Sequence, residues 1–183
     1  MKIVIALDSF KESLTAAAAC DAVARGFHAV LPQAAYHCVP MADGGEGTTA
    51  ALVAARGGQW REVLVQGPLA RPVTARYGRL PDGSAVMEMA EAAGLHLLAP
   101  GERNPRLTST FGVGEMLRHA LAGGARHIIL GIGGSATNDG GAGMLQALGV
   151  RLLDEKGSEL PRGGAALSRL ERADFSDLLP DLR

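Results

Sequence analysis

The sequence predicts an α/β protein built around a parallel sheet, and three observations carry that expectation. Short β-branched and aliphatic runs alternate with segments of helical period. Polar loops rich in glycine stand between such a run and the helix that follows it. The succession of strand, loop and helix occurs twice before residue 58 and returns after residue 109.

In chain order, Lys2 to Leu7 reads as a strand, because branched and aliphatic side chains suit a pleated surface. Between Thr15 and Leu31, the residues Cys20, Val23, Phe27, Val30 and Leu31 share one stripe at helical spacing, so an amphipathic helix is expected. Ala35 to Val39 reads as a second strand, followed by the loop Pro40 to Gly47 and a helix from Thr48 to Ala55 that Gly57 and Gly58 end. The pattern then changes. Gln59 to Gln66, Val73 to Leu80 and Ala85 to Met89 are strand-like, with Pro81-Asp-Gly-Ser84 as a turn, which fits antiparallel hairpins. From Thr110 the helical period is at its clearest, with Val113, Met116, Leu117, Ala120 and Leu121 on one face, Thr108-Ser-Thr110 as its cap and Gly123-Gly124 as its stop. His127 to Ile132 is a buried type of strand running into a glycine loop, Met144 to Leu148 is helical, and Val150 to Leu153 is a further strand. Past Asp154 the periodicity fades, and Asp174 to Arg183 reads as a connecting segment. The expected architecture is a flavodoxin/Rossmann-like parallel-sheet domain of residues 1–58 plus 109–183. Residues 59–108 would be inserted as part of a second, smaller, hairpin-rich α/β domain that these residues leave incomplete.

With 183 residues, 47% of them apolar, the chain can bury a core without disulfides or a structural metal. A formal net charge of −1, with no run of Lys or Arg longer than two, argues against nucleic acid or an anionic membrane surface as partner. No apolar run approaches the roughly 18 residues of a membrane span. Asp8 follows the first strand at once, so a signal peptide is not expected either. Cys20 and Cys38, the only cysteines, suit packing in a reducing, cytoplasmic compartment. The histidines show no metal-ligand spacing.

Function is sought in the strand-end loops, because open parallel sheets bind ligands beyond the carboxyl ends of their strands. The first, Asp8-Ser-Phe-Lys-Glu-Ser13, sets Asp8, Ser9 and Lys11 ahead of a helix start whose free N–H groups favour anions. A capped turn with a solvated lysine is the plainer alternative. The second, Asp43-Gly-Gly-Glu-Gly47, pairs Gly44 and Gly45, which let a ligand approach the backbone, with the carboxylates of Asp43 and Glu46, which suit Mg²⁺ or a substrate hydroxyl. Its alternative is a turn whose carboxylates sit at a helix start. The third, Gly133-Gly-Ser-Ala-Thr-Asn-Asp-Gly-Gly141, flanks Ser135, Thr137, Asn138 and Asp139 with glycines, Gly133 and Gly134 leading. Backbone donors, hydroxyls, an amide and a carboxylate at this density exceed what a connector needs.

Gly131-Ile-Gly-Gly-Ser-Ala136 also satisfies the G-x-G-x-x-A dinucleotide fingerprint, and Asp154 ends a strand about 20 residues on. An NAD-type oxidoreductase using Gly131 to Ala136 is therefore one reading. Against it, Thr137-Asn-Asp-Gly-Gly141 sets helix breakers where the helix should run on. A Walker A loop is absent, and Ser135 is no nucleophile elbow, because Thr137 stands where glycine is required. Arg71, Arg76, Arg103 and Arg106 are each a carboxylate clamp or a solvated surface residue.

Asp8-Ser-Phe-Lys-Glu-Ser-Leu-Thr-Ala16, Pro40-Met-Ala-Asp-Gly-Gly-Glu-Gly-Thr48 and the 133–141 loop together resemble the signature segments of the bacterial glycerate kinase family. The resemblance runs through the whole chain and includes Thr108-Ser-Thr-Phe-Gly-Val-Gly-Glu115. It implies phosphorylation of a glycerate hydroxyl, usually to the 2-phosphate, with ATP as donor and Mg²⁺ as cofactor, on two α/β domains with the site between them. Such chemistry depends on positioning and on neutralising charge. Under this resemblance Lys11 neutralises the phosphates or the glycerate carboxylate, and the glycine loop with Ser135, Thr137 and Asn138 holds the anion. Asp43 or Asp139 then holds Mg²⁺ or orients the hydroxyl. Members of the family are considerably longer than this chain, so a non-catalytic remnant stands beside a working kinase as the alternative.

Overall fold

A computed structural model of the chain describes residues 1–10 and 13–182. Local sequence accounts for most of its elements. β1 (Lys2–Ile5) and β2 (Ala35–Cys38) pair in parallel, joined by α1 (Ala16–Val30), whose start is capped where Thr15 Oγ1 accepts the Ala18 N–H at 3.2 Å. α2 (Thr48–Arg56) ends where Gly57 takes up a left-handed φ of 68°. β3 (Gln59–Gln66), β4 (Pro72–Arg79) and β5 (Ala85–Glu88) run antiparallel in turn, as the turn signals imply. A single turn, α3 (Ala90–Ala93), follows. The long helix α4 (Phe111–Ala122) leads to β6 (Ile128–Gly131), and α5 (Ala142–Ala147) to a pair of short strands, β7 (Arg151–Leu153) and β8 (Arg172–Asp174).

The strands do not share one sheet. β1 and β2 stand as a parallel pair, β7 and β8 as an antiparallel pair, and the central sheet has the order β3-β4-β5-β6. Within it β6 runs parallel to β5, setting Gly131 opposite Glu88. The protein is thus a mixed α/β structure with a parallel step in its main sheet, where the sequence predicted one parallel sheet drawing on β1, β2 and β6. Strand pairing also crosses the expected division of the chain, because β5 of the 59–108 stretch is the neighbour of β6 from the 109–183 stretch. Periodicity identifies a strand but not its partner. The unbroken buried run Ala85-Val-Met87 is the physical sign that β5 is central, since a strand covered on both faces needs apolar side chains pointing both ways.

The cover comes from two helices. α4 packs Val113, Met116 and Ala120 onto Val65, Ala75, Tyr77 and Met87, while α2 sets Val53 against Leu80 and Val86. A smaller cluster of Val150, Leu152, Leu160 and Ala166 lies under β7. The first two strands take no part in these clusters, and α1 buries only Ala19 and Cys20, the latter donating its Sγ–H to the Ile5 carbonyl at 3.5 Å. The expected apolar stripe of α1 is therefore mostly open, with Val30 77% and Phe27 47% exposed. Among the described residues no helix is long and apolar enough to cross a membrane.

The contrast between the two regions gives a measurable expectation. Met87→Ala leaves a cavity at a fully buried position and should lower the unfolding free energy by about 2–5 kcal/mol. Val4→Ala on exposed β1 should change it by less than about 0.5 kcal/mol, both read from urea denaturation.

Candidate functional site

The two glycine loops meet backbone to backbone. The Gly133 N–H donates to the Gly44 carbonyl at 3.1 Å. A Cβ at Gly131 would stand 2.6 Å from that carbonyl oxygen, and one at Gly133 would stand 2.5 Å from Gly45 Cα, so only glycine allows the approach. The second loop is also tied to the end of the first strand run, where the Met41 N–H donates to the Leu7 carbonyl at 2.9 Å, one residue before the first loop begins. The second and third loops therefore meet although β2 and β6 belong to separate sheets.

Beneath this junction lie two buried carboxylates. Asp139, 1% exposed, follows Asn138 in the third loop. Its Oδ1 accepts the Gly141 N–H at 3.2 Å, and its Oδ2 accepts the N–H groups of Thr110 at 2.9 Å and Gly143 at 3.1 Å. The Thr110 hydroxyl donates to the same carboxylate and accepts the Met144 N–H at 2.9 Å. One acidic side chain thus ties the starts of α4 and α5 together. Glu88, 7% exposed at the end of β5, accepts the Thr49 N–H at 2.7 Å on Oε1 and the Gly47 N–H at 3.2 Å on Oε2, which fixes the start of α2.

The structure gives Asp139 a structural task that the sequence did not announce. Its oxygens are buried and surrounded by donors, an environment that holds a carboxylate in place. The expected cap of α4 is also modified. Ser109 Oγ accepts the Phe111 N–H at 3.2 Å, while the Thr110 hydroxyl turns to Asp139. Among the described residues no group of three or more His, Cys, Asp or Glu side chains is arranged to hold a metal.

The other candidates present an open polar face. Asp43 is exposed, its Oδ1 accepting the Gly45 N–H at 3.0 Å; Asp8 is exposed, its Oδ1 accepting the Ser9 N–H at 2.7 Å; Glu46 and Asn138 are exposed as well. Ser135 Oγ accepts the Thr137 N–H at 3.0 Å and shares a hydrogen bond of 2.7 Å with Thr137 Oγ1, so these two hydroxyls form one unit. The glycine loop is held in place by the Ala136 N–H on the Ala93 carbonyl at 2.8 Å, the Leu95 N–H on the Gly134 carbonyl at 3.0 Å, and the Thr108 hydroxyl on the Ala136 carbonyl at 2.8 Å. Lys11 lies outside the described residues. The arrangement can bind an anion on a fixed backbone and bring single carboxylates to its edge.

The dinucleotide reading loses its structural context. No helix begins within Gly131 to Ala136, α5 starts only at Ala142, and Asp154 Oδ1 is engaged by the N–H groups of Lys156 and Ser158, both at 2.9 Å. Arg71 and Arg76 pair with Glu102 at 2.6 Å and Glu91 at 3.3 Å, so both are clamps of the chain's own carboxylates. Sequence reasoning missed Glu88, although a lone carboxylate closing the apolar run Ala85-Val-Met87 was the available sign. It also missed Thr110 as a junction, for which periodicity gives no sign.

The comparisons agree over the chain's whole length. The profile described as the Glycerate kinase family matches residues 3–183. The Glycerate kinase of Bacillus subtilis (strain 168) is 56% identical over 184 residues, covering 100% of this chain and 48% of that protein. The Glycerate 2-kinase of Escherichia coli (strain K12) is 50% identical, with 100% and 48% covered. A crystal structure of a protein assigned as glycerate kinase 2 from Salmonella typhimurium LT2 superimposes with a TM-score of 0.82 at 52% identity, covering 97% of this chain and 48% of that one. The chain spans about half the length of the curated relatives it matches.

The two aspartates of the glycine loops are separable by experiment. Asp139→Asn replaces a buried acceptor with an amide facing N–H donors, and should lower the unfolding free energy by about 2–3 kcal/mol. Asp43→Asn on the exposed loop should change it by less than about 0.5 kcal/mol in the same denaturation measurement.

Proposed function

The chain belongs to the glycerate kinase family, and on that premise we propose that it forms one half of an enzyme transferring the γ-phosphoryl group of ATP to a hydroxyl of glycerate. The product is phosphoglycerate, as the 2-phosphate, and ADP. One observation carries the reading: two of the loops that hold the family resemblance, far apart in sequence, are in backbone contact at Gly44 and Gly133.

Phosphoryl transfer asks for a fixed phosphate cradle, neutralised charge and an oriented acceptor hydroxyl. In this proposal the loop from Gly133, with Gly134 and the linked hydroxyls of Ser135 and Thr137, receives the anion, and Asn138 donates from its exposed amide. Asp43 orients the glycerate hydroxyl and accepts its proton, with Gly44, Gly45 and Glu46 shaping the same wall. Asp8 and Ser9 approach from the first loop, and Lys11 carries the cationic role that the resemblance assigns it. Mg²⁺ fits this site as an ion held by one or two single carboxylates and the substrate phosphates, with Asp43 and Asp8 as the exposed candidates. Bound there, it would supply positive charge to offset that of the phosphates. Asp139 serves as support and not as ligand. β1, α1 and β2 are the part of this chain from which a flavodoxin/Rossmann-like sheet would grow, and a cytoplasmic setting suits the substrates.

A non-catalytic remnant is the second reading. The two separate in an assay of ADP release from ATP, Mg²⁺ and D-glycerate. Turnover is expected when the chain is continued to its relatives' length with the remaining part of the Bacillus subtilis protein, and chelation by EDTA should abolish it. Absence of turnover there removes the kinase reading for these residues. In the active form Asp43→Asn should cost roughly 10²-fold or more in kcat, as loss of a proton acceptor does. An unchanged kcat takes Asp43 off the reaction path.

A further inference from the structure

Glu88 stands outside every motif that carries the family resemblance, yet it occupies a point where both walls of the site meet the central sheet. Its backbone is in register with Gly131, the last residue of β6 before the glycine loop. The next residue, Met89, donates its N–H to the Gly131 carbonyl at 2.9 Å. A Cβ at Gly131 would lie 3.4 Å from Glu88 Cγ and 2.6 Å from the Gly44 oxygen, so side chain, glycine strand and 43–47 loop form one contact layer. The carboxylate reaches across this layer to the Gly47 and Thr49 N–H groups at the start of α2.

A helix start carries about half a positive charge and free donors, which makes it a natural anion site. Here the protein's own carboxylate fills it. Both carboxylate oxygens are engaged and the residue is buried, so it acts on the walls of the site through the backbone it holds.

We propose that Glu88 is a positioning residue for phosphoryl transfer: it locks the 43–47 loop against the glycine loop and withholds the α2 start from the substrate's phosphates. Incoming anion is thereby directed to the 133–141 loop. This rests on the reading under Proposed function for its catalytic consequence, but not for its geometric one. A displacement of about 1 Å between groups that must align can cost on the order of 10²-fold in rate.

Two readouts test it. In the 183-residue chain, Glu88→Ala should speed hydrogen exchange of the Gly133 amide at least tenfold, because that amide donates to Gly44 and not to Glu88, while the amides of Val86 and Met87 stay protected. Unchanged Gly133 protection overturns the proposal. If the alanine variant loses protection throughout, Glu88→Gln, which keeps one acceptor oxygen for Thr49, is read in the same way. In the chain continued to its relatives' length, Glu88→Ala should lower kcat roughly 10²-fold with KM for glycerate and ATP within about threefold, and Glu88→Gln, which keeps the acceptor for Thr49 but turns its amide on the Gly47 N–H, should recover only part of the loss. A fall in kcat that merely follows the folded fraction overturns it. An unmutated continued chain without turnover sinks the kinase reading alone, and the Gly133 exchange then decides the geometry.

Discussion

Everything at the junction of the loops depends on two acidic side chains that the protein keeps for itself. Asp139 binds the starts of α4 and α5, and Glu88 binds the start of α2. Removing a carboxylate from water is costly, and the cost is met here by donors that a helix must satisfy in any case. The helix amides lose their need for water and the carboxylates lose their need for a counter-ion. The two walls are rigid for that reason.

Under the proposed function, this alters how the glycine loops would handle anions. The simplest expectation for a glycine loop ahead of a helix is that phosphate sits on the helix start. In this chain α2 and α5 both begin on an internal carboxylate, so the field at those points is close to neutral. In the proposed site, binding then falls to loop backbone, to the paired hydroxyls of Ser135 and Thr137, and to cationic side chains. A cradle of this kind gains specificity from shape, because its donors cannot swing to follow a misplaced ligand.

Much of this was legible in the sequence. The limits of β3, the long helix with its glycine stop and the meeting of the second and third polar loops were all readable from period and turn chemistry. What was not legible was partnership. The 133–141 loop announced Asp139 as chemistry because a carboxylate among glycines and hydroxyls has the composition of a site. Only the position of Thr110, far away in sequence, turns that carboxylate into a support. Glu88 was hidden for the converse reason: it lies in a plain apolar strand, and the donors that explain it belong to a helix some forty residues earlier. The single parallel sheet was wrong for the same cause, since β5 and β6 meet through pairing that no local period encodes.

The parallel pair β1–β2 has a different consequence. Its face opposite α1 carries Val4 at 59% exposure, and among the described residues neither of its outer edges has a neighbouring strand. Parallel strands are ordinarily covered on both faces, and a pair alone is marginal in water. Unpaired N–H and C=O groups beside exposed valine and phenylalanine form a template for self-assembly. Exposed apolar surface is thus concentrated in the first forty residues, while the buried core lies in the sheet that follows.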